Sequence, residues 1–236
     1  MRAAAVVAAG GRGERLAGEA GALPKGLIEL AGQPLVQHAV RTLAQVAGIA
    51  QIVVVHPNGV RDAFAEAVGD LAAVEFVEGG STRSDSVRRG VARVADPDVT
   101  HVVIHDAARA LTPRAVFERT LAEVTGDVVA AAPGVPVADT LKRASPEGDV
   151  ASTADRSGLW AVQTPQVVRR DVLVRVLEWS GDRVETDDLA LVEQALAAGL
   201  VAGRVRLVPG SPLGLKITWP ADVAVAEALL ALESER

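Results

Sequence analysis

Gly10, Gly11 and Gly13, with Arg15 after them and Lys25 in a Pro24-Lys25 pair further on, are residues whose types and spacing suit phosphate chemistry. They directly follow an apolar run, Ala3-Ala4-Ala5-Val6-Val7-Ala8-Ala9. A buried strand that opens into a glycine-rich turn lets the backbone bend sharply and bring its N–H groups close to an anion. Arg15 and Lys25 add two fixed cations, a combination that suits a triphosphate. The P-loop pattern is excluded, because no Gly-Lys-Ser/Thr follows at the required gap. The dinucleotide fingerprint is excluded too, because Leu16 stands where its third glycine belongs. Read alone, the glycines also fit an ordinary turn with solvated charges.

Further along, Gly79-Gly80-Ser81-Thr82-Arg83-Ser84-Asp85-Ser86-Val87 is a second glycine–hydroxyl loop opening a helix. Its N–H groups and hydroxyls suit the edge of a nucleobase, although Ser81 or Ser84 also fits as a plain helix cap. His105-Asp106-Ala107-Ala108-Arg109 ends a strand. Asp106 is a hard oxygen ligand placed for Mg²⁺ on a triphosphate, or else a turn-capping carboxylate. The two alanines leave room for a ligand, Arg109 suits a second anionic group, and His105 reads as structural. Thr140, Lys142, Arg143 and Arg156 lie on a polar arm, where Arg156 also fits a solvated pair with Asp155. Thr164 offers a hydroxyl to a phosphate, Asp187 reads as a helix cap, and Lys216 stands among apolar residues at a strand end. No Ser-His-Asp set is evident, and His38, His56, His101 and His105 lack zinc-ligand spacing.

The 236 residues suit one large domain, and a hydrophobic fraction of 49% supplies its core. Aromatics make up only 3%, so that core is Val, Leu and Ala. No apolar run reaches membrane-spanning length, and the short N-terminal run does not read as a signal peptide. The absence of cysteine excludes disulfides and thiolate metal sites and fits a cytoplasmic setting. A net charge of −6 argues against nucleic-acid binding through bulk positive charge. Lysine occurs only at 25, 142 and 216 against 21 arginines, which marks each lysine as a candidate for a task needing a compact ammonium.

Strands are expected at 3–9, 51–56, 74–78, 101–105 and 127–132, with amphipathic helices at 34–46, 59–68, 84–94 and 113–124. Thr112-Pro113 reads as the last helix's start, with a capping hydroxyl and proline at the first turn. Near-continuous apolar strands alternating with helices predict an α/β fold: a Rossmann-like, mostly parallel twisted sheet with helices on both faces. Ligands then bind at the carboxyl ends of the strands, where the first glycine loop, Gly79-Gly80 and His105-Asp106 all fall. After Ala132 the rhythm breaks into an extended β-arm or hairpin, with strands expected at 137–143, 150–156 and 159–163, fit either to pack on a partner subunit or to fold back on its own body. Helices at 169–178 and 188–198, strands at 204–208 and 213–217, and a helix from 220 to about 232 complete the reading.

Taken together and in order, A-G-G-x-G-x-R…P-K, G-G-x-x-R-x-x-S-V, H-D-A-A-R, P-V-x-D-T-x-K, D-R-x-x-L-W-x-x-Q-T-P-Q and L-K-I-T resemble the cytidylyltransferases of the non-mevalonate isoprenoid pathway. These join CTP and 2-C-methyl-D-erythritol 4-phosphate and release pyrophosphate. The resemblance covers nearly the whole chain. It implies that Arg15 and Lys25 stabilise the transition state, and that Arg156 and Lys216 position the polyol phosphate. Arg109, Thr140, Thr164 and Thr186 would line that same site. Ala8, Ala9, Gly10, Gly11, Gly13, Gly79, Gly80, Ser81, Ser86, Asp106 and Ala107 would hold the nucleotide, with Asp106 binding Mg²⁺. It further implies one nucleotidyltransferase domain over 1–236 and a homodimer through the arm at 135–160, so that Thr140 and Arg156 serve the neighbouring site. A cytidylyltransferase for another polyol phosphate, such as ribitol 5-phosphate, would share the CTP loops; a silent nucleotide-binding protein is the remaining alternative. Gly10-Gly11, Gly26 and Ala110 depart from the family's usual residues without removing a charged group.

Overall fold

The computed structural model describes residues 1–11, 23–181, 183 and 187–234; Gly13, Arg15 and Thr186 lie outside them. The chain runs β1 (Ala3–Ala8), a short hairpin of β2 (Glu29–Leu30) and β3 (Gln33–Pro34), α1 (Leu35–Ala44), β4 (Ile49–His56), α2 (Arg61–Val68), β5 (Val74–Glu78), α3 (Arg83–Ala92), β6 (His101–Asp106), α4 (Arg114–Glu123) and β7 (Val128–Pro136). β1 lies between β4 and β6, and β5 lies outside β4, all parallel. Strand side chains alternate between faces, and β1 divides accordingly. Ala3, Ala5 and Val7 pack with Val36, Val40 and Leu43 of α1; Ala4 and Val6 pack with Val87 and Val91 of α3. Every one of these residues is buried, which is why the strand reads as an unbroken apolar run.

Beyond β7 come β8 (Lys142–Ala144), β9 (Val150–Thr153), β10 (Trp160–Val162), β11 (Gln166–Arg169), α5 (Arg170–Ser180), α6 (Asp188–Ala197), β12 (Arg204–Pro209) and α7 (Pro220–Ser234). β8 and β9 form a separate antiparallel hairpin in which every residue is exposed. β11, like the short β2–β3 hairpin, is an element the sequence did not disclose. It runs antiparallel between β6 and β7 and pairs with both. β10 continues along the same edge of β7, since Gly134 pairs with Val162 on one side and Pro209 of β12 on the other. The sheet is therefore mostly parallel, with two antiparallel strands, β11 inserted between β6 and β7 and β10 beyond it along β7. No helix among the described residues is long and apolar enough to cross a membrane.

Three local expectations are corrected. The segment 213–217 is not a strand. Pro212–Gly214 forms a 3₁₀ turn capped by Ser211, and the rest is held by single bonds such as Ile217 N–H to the Ala108 carbonyl (2.9 Å). Proline removes one ladder donor, and Arg109 takes the Gly214 carbonyl. The Thr112 hydroxyl does not cap α4. It donates to the Arg109 carbonyl at 3.0 Å, and Pro113 occupies the cap position instead. In the arm, β7 runs on to Pro136 and pairing resumes only at Lys142, so 137–141 is not strand.

Candidate active site

β1 ends against Ala9–Gly11, β6 ends at Asp106, and α3 opens from the Gly79-Gly80 loop; together they wall a cavity of about 580 Å³ at the carboxyl edge of the sheet. Ala8, Ala9, Gly10, Gly11, Gly80, Ser81, Ser86, Asp106 and Ala107 all line it, as do Lys25 and Lys216. Three cations (Lys25, Arg83, Lys216) face it against one carboxylate, Asp106, among the described lining residues. Such a surface suits a polyanion.

The loop geometry follows from hydrogen-bond needs. Thr82 caps α3 by accepting the Asp85 N–H at 3.0 Å. The Ser86 hydroxyl accepts from Gly80 N–H (3.0 Å) and donates to the Thr82 carbonyl (2.9 Å), which staples the loop onto the helix it opens. Gly80 must be glycine, because a Cβ there would run into the Asp85 carboxylate. Gly79 stands behind the wall, with its N–H on the His56 carbonyl and its own carbonyl on Arg89. Lys25 follows Pro24 into a 3₁₀ turn whose first N–H meets the Gly11 carbonyl at 3.0 Å. Its stem lies alongside Gly11, and Gly26 fits because Phe64 Cε1 would be 2.8 Å from any Cβ there.

Asp106 is the electrostatic centre. Lys216 Nζ donates to its Oδ2 at 2.7 Å, and Arg83 Nη2 to its Oδ1 at 3.2 Å. The other end of Arg83 meets Asp188 Oδ2 at 2.6 Å. Burial alone would raise the Asp106 pKa; Arg83 and then Lys216 more than offset it and hold the carboxyl below the usual carboxylate range. Asp188 moves the other way: burial pushes it up, and the Arg83 guanidinium beside it offsets only part of that rise. Burial also works against the Arg83 charge, but Asp188 and Asp106 raise its pKa above the ordinary arginine value. Beneath Asp106, its N–H donates to Thr164 Oγ1 at 3.1 Å, and that hydroxyl meets His105 Nδ1 at 2.9 Å.

Not every expected residue reaches the cavity. Thr164 is buried under Asp106. Arg109 turns its guanidinium onto the Gly214 (2.6 Å) and Val162 (3.3 Å) carbonyls, tying the Lys216 segment to β10. Thr140 and Arg156 sit exposed on the arm, away from this chain's own cavity. Arg83, which the sequence marked as the arginine of G-G-x-x-R-x-x-S-V without giving it a role, and Asp188, which it read as part of a helix cap, carry the carboxylate web. Gln163, quoted in the D-R-x-x-L-W-x-x-Q-T-P-Q motif without a role, pairs its side-chain amide with both the N–H and the carbonyl of Ser211 (3.1 and 2.8 Å), steadying the same segment.

Residues 3–232 match the family described as "IspD: 2-C-methyl-D-erythritol 4-phosphate cytidylyltransferase". The chain belongs to that family. A 2-C-methyl-D-erythritol 4-phosphate cytidylyltransferase of Frankia casuarinae is 44% identical, covering 98% of this chain and 82% of the relative. One of Saccharopolyspora erythraea is 42% identical over 98% and 100%. The structure of the Thermus thermophilus enzyme of that name superposes with a TM-score of 0.77 at 29% identity, covering 98% of this chain and 100% of the other. Against this IspD frame, the departures at Gly26 and Ala110 are matters of packing: Gly26 accommodates Phe64, and Ala110 is buried with Leu30, Leu35 and Ile217.

The resemblance implies a divalent cation, and Asp106 is the carboxylate that could hold it among the described cavity residues. Among the described residues no group of three or more His, Cys, Asp or Glu gathers. A lone carboxylate beside a polyanion cavity is what Mg²⁺ takes when phosphates and water complete its shell.

Proposed function

We infer that this chain transfers CMP from CTP to 2-C-methyl-D-erythritol 4-phosphate, releasing pyrophosphate. The observation that carries the reading is Asp106, held between Arg83 and Lys216 at the mouth of a glycine-walled, cation-rich cavity. The acceptor is already an anion, so no strong general base is needed. The barrier is repulsion between two anions and charge growth at the α-phosphate, which positioning and fixed cations lower. Glycine-loop N–H groups and Lys25 hold the triphosphate; Arg15 is assigned the same charge from the sequence. Gly80, Ser81 and Ser86 bound the base, with Ser86 keeping the loop in shape. Lys216 meets the acceptor phosphate in line with the α-phosphorus. Mg²⁺, when bound on Asp106, supplies charge neutralisation across the phosphates. The exposed arm, which has no core of its own, supports a homodimer in which Thr140 and Arg156 reach the neighbour's acceptor site, with Thr186 completing it.

Pyrophosphate release tests this, with each nucleoside triphosphate paired with methylerythritol phosphate or ribitol 5-phosphate. Release is expected with CTP and methylerythritol phosphate in Mg²⁺, and no release from that pair overturns the reading. Lys25→Ala and Lys216→Ala should each fold and lose on the order of 10²–10³ in turnover; near-wild-type turnover in either removes that residue's role.

A further inference from the structure

Asp188 takes no part in the chemistry above and does not cap its own helix. Asp187 does that, accepting the Ala190 N–H at 2.8 Å. Asp188 is 2% exposed, and its backbone N–H is held by the buried Gln166 side chain at 2.9 Å. Its carboxylate is aimed across the fold at α3, where it meets Arg83 Nη1 at 2.6 Å; the opposite nitrogen of that guanidinium reaches Asp106 at 3.2 Å. The guanidinium is a planar fork with two usable edges. One edge is committed to a buried carboxylate and the other, longer contact is left for the cavity.

We propose that Asp188 is a positioning residue that divides the charge of Arg83, so that Asp106 is steadied by Arg83 without being saturated by it and stays able to take a divalent cation. This rests on the reading of Asp106 given above. The charge count bears it out. Asp106 already carries Lys216 at 2.7 Å. If Arg83 had no second carboxylate, two undivided cations would face one carboxylate, and an incoming cation would have to displace both. With Asp188 in place, the four groups Asp106, Asp188, Arg83 and Lys216 sum to zero, and Arg83 remains bound by its far edge when the metal arrives. The same bond fixes the start of α6 to the start of α3, so the arrangement is built into two elements and not into one mobile side chain.

The test is titration of Mn²⁺ by paramagnetic resonance at CTP saturating for each protein, corrected for the Mn²⁺ that free CTP chelates and without acceptor, for the wild type, Asp188→Asn and the double variant Arg83→Gln/Asp188→Asn, with thermal midpoints and the metal-free CTP affinity recorded alongside. A neighbouring charge of this kind shifts a carboxylate's proton affinity by about one to three units, so Asp188→Asn should weaken Mn²⁺ binding roughly tenfold or more. The double variant removes the charge that Asp188 divided and should return the dissociation constant to within about threefold of wild type. A purely structural role would weaken both variants. Unchanged binding in Asp188→Asn, or a double variant as weak as the single, overturns the proposal. If Asp188→Asn does not fold, the double variant decides alone: binding near wild type supports the proposal and tenfold weaker binding overturns it. A wild type that binds no Mn²⁺ with CTP removes the metal role of Asp106 and this proposal together, whereas variants that match a binding wild type remove the proposal alone.

Discussion

His105, one residue before the end of the central strand β6, has a ring that is fully buried against Phe117, its centroid 4.8 Å from that of the phenyl ring. Burial pushes its pKa down to about 4, so at neutral pH it is a neutral support for Thr164 and, through it, for Asp106. The unfolded chain takes up the proton near the ordinary histidine value of about 6.5. Between that pH and about 4 the unfolded state binds more protons, and stability falls as the solution is acidified, by at most about 3 kcal/mol from this group. Below that window Asp106 adds a loss of the same sign, since its carboxyl is held below the usual range. Denaturant titrations across this range should show the decline, and His105→Leu should flatten it between about 6.5 and 4; an unchanged slope would show that His105 is not its source. At this scale the sequence disclosed Asp106, Lys25 and Lys216, because a lone carboxylate at a strand end and three lysines among many arginines stand out. Arg83 stood in the G-G-x-x-R-x-x-S-V motif but carried no assigned role, and Asp188 was hidden beside a true cap. Their partners lie 23 and 105 residues from Arg83 along the chain, a separation no local pattern carries.

The glycine–hydroxyl loop and α3 act as one element, joined by Ser86 and sealed by the fit of Asp85 over Gly80. Gly80→Ala places a methyl 2.7 Å from Asp85 Cβ, which rotation of the aspartate cannot relieve. It should cost about 1–3 kcal/mol and raise the KM for CTP. A Gly80→Ala protein with wild-type stability and KM would show that the loop is not fixed this way. Elements with strong periodicity were legible: β5 was read to the residue, and the helices on both faces to within a few residues. β11 was not, because four residues after a proline show no alternation to separate strand from loop. The 213–217 segment failed for the opposite reason, an apolar run whose partners are single carbonyls and not a ladder.

For the molecule as a whole, the α/β class followed from apolar strands alternating with helices, and the arm from the break after Ala132. The arm leaves Leu141, Val150, Leu159 and Trp160 exposed, apolar side chains that a second copy of the chain could cover. Scattering coupled to size exclusion should give twice the chain mass. Deleting residues 138–158 should give a monomer that retains CTP binding and loses transfer. A wild type that stays monomeric at every concentration removes the pairing.

The inserted strand β11 also sets an order of assembly. β5, β4, β1 and β6 are all in hand once the chain has reached residue 106, and β7 by residue 136. Yet β6 and β7 are joined in the sheet through β11, which arrives after the whole arm has been made. A nascent chain that stops short of Gln166 therefore leaves the facing edges of β6 and β7 without the strand that joins them, and bare strand edges are the template on which foreign strands add. The junction of these two strands waits on four residues, and the whole arm is synthesised before them.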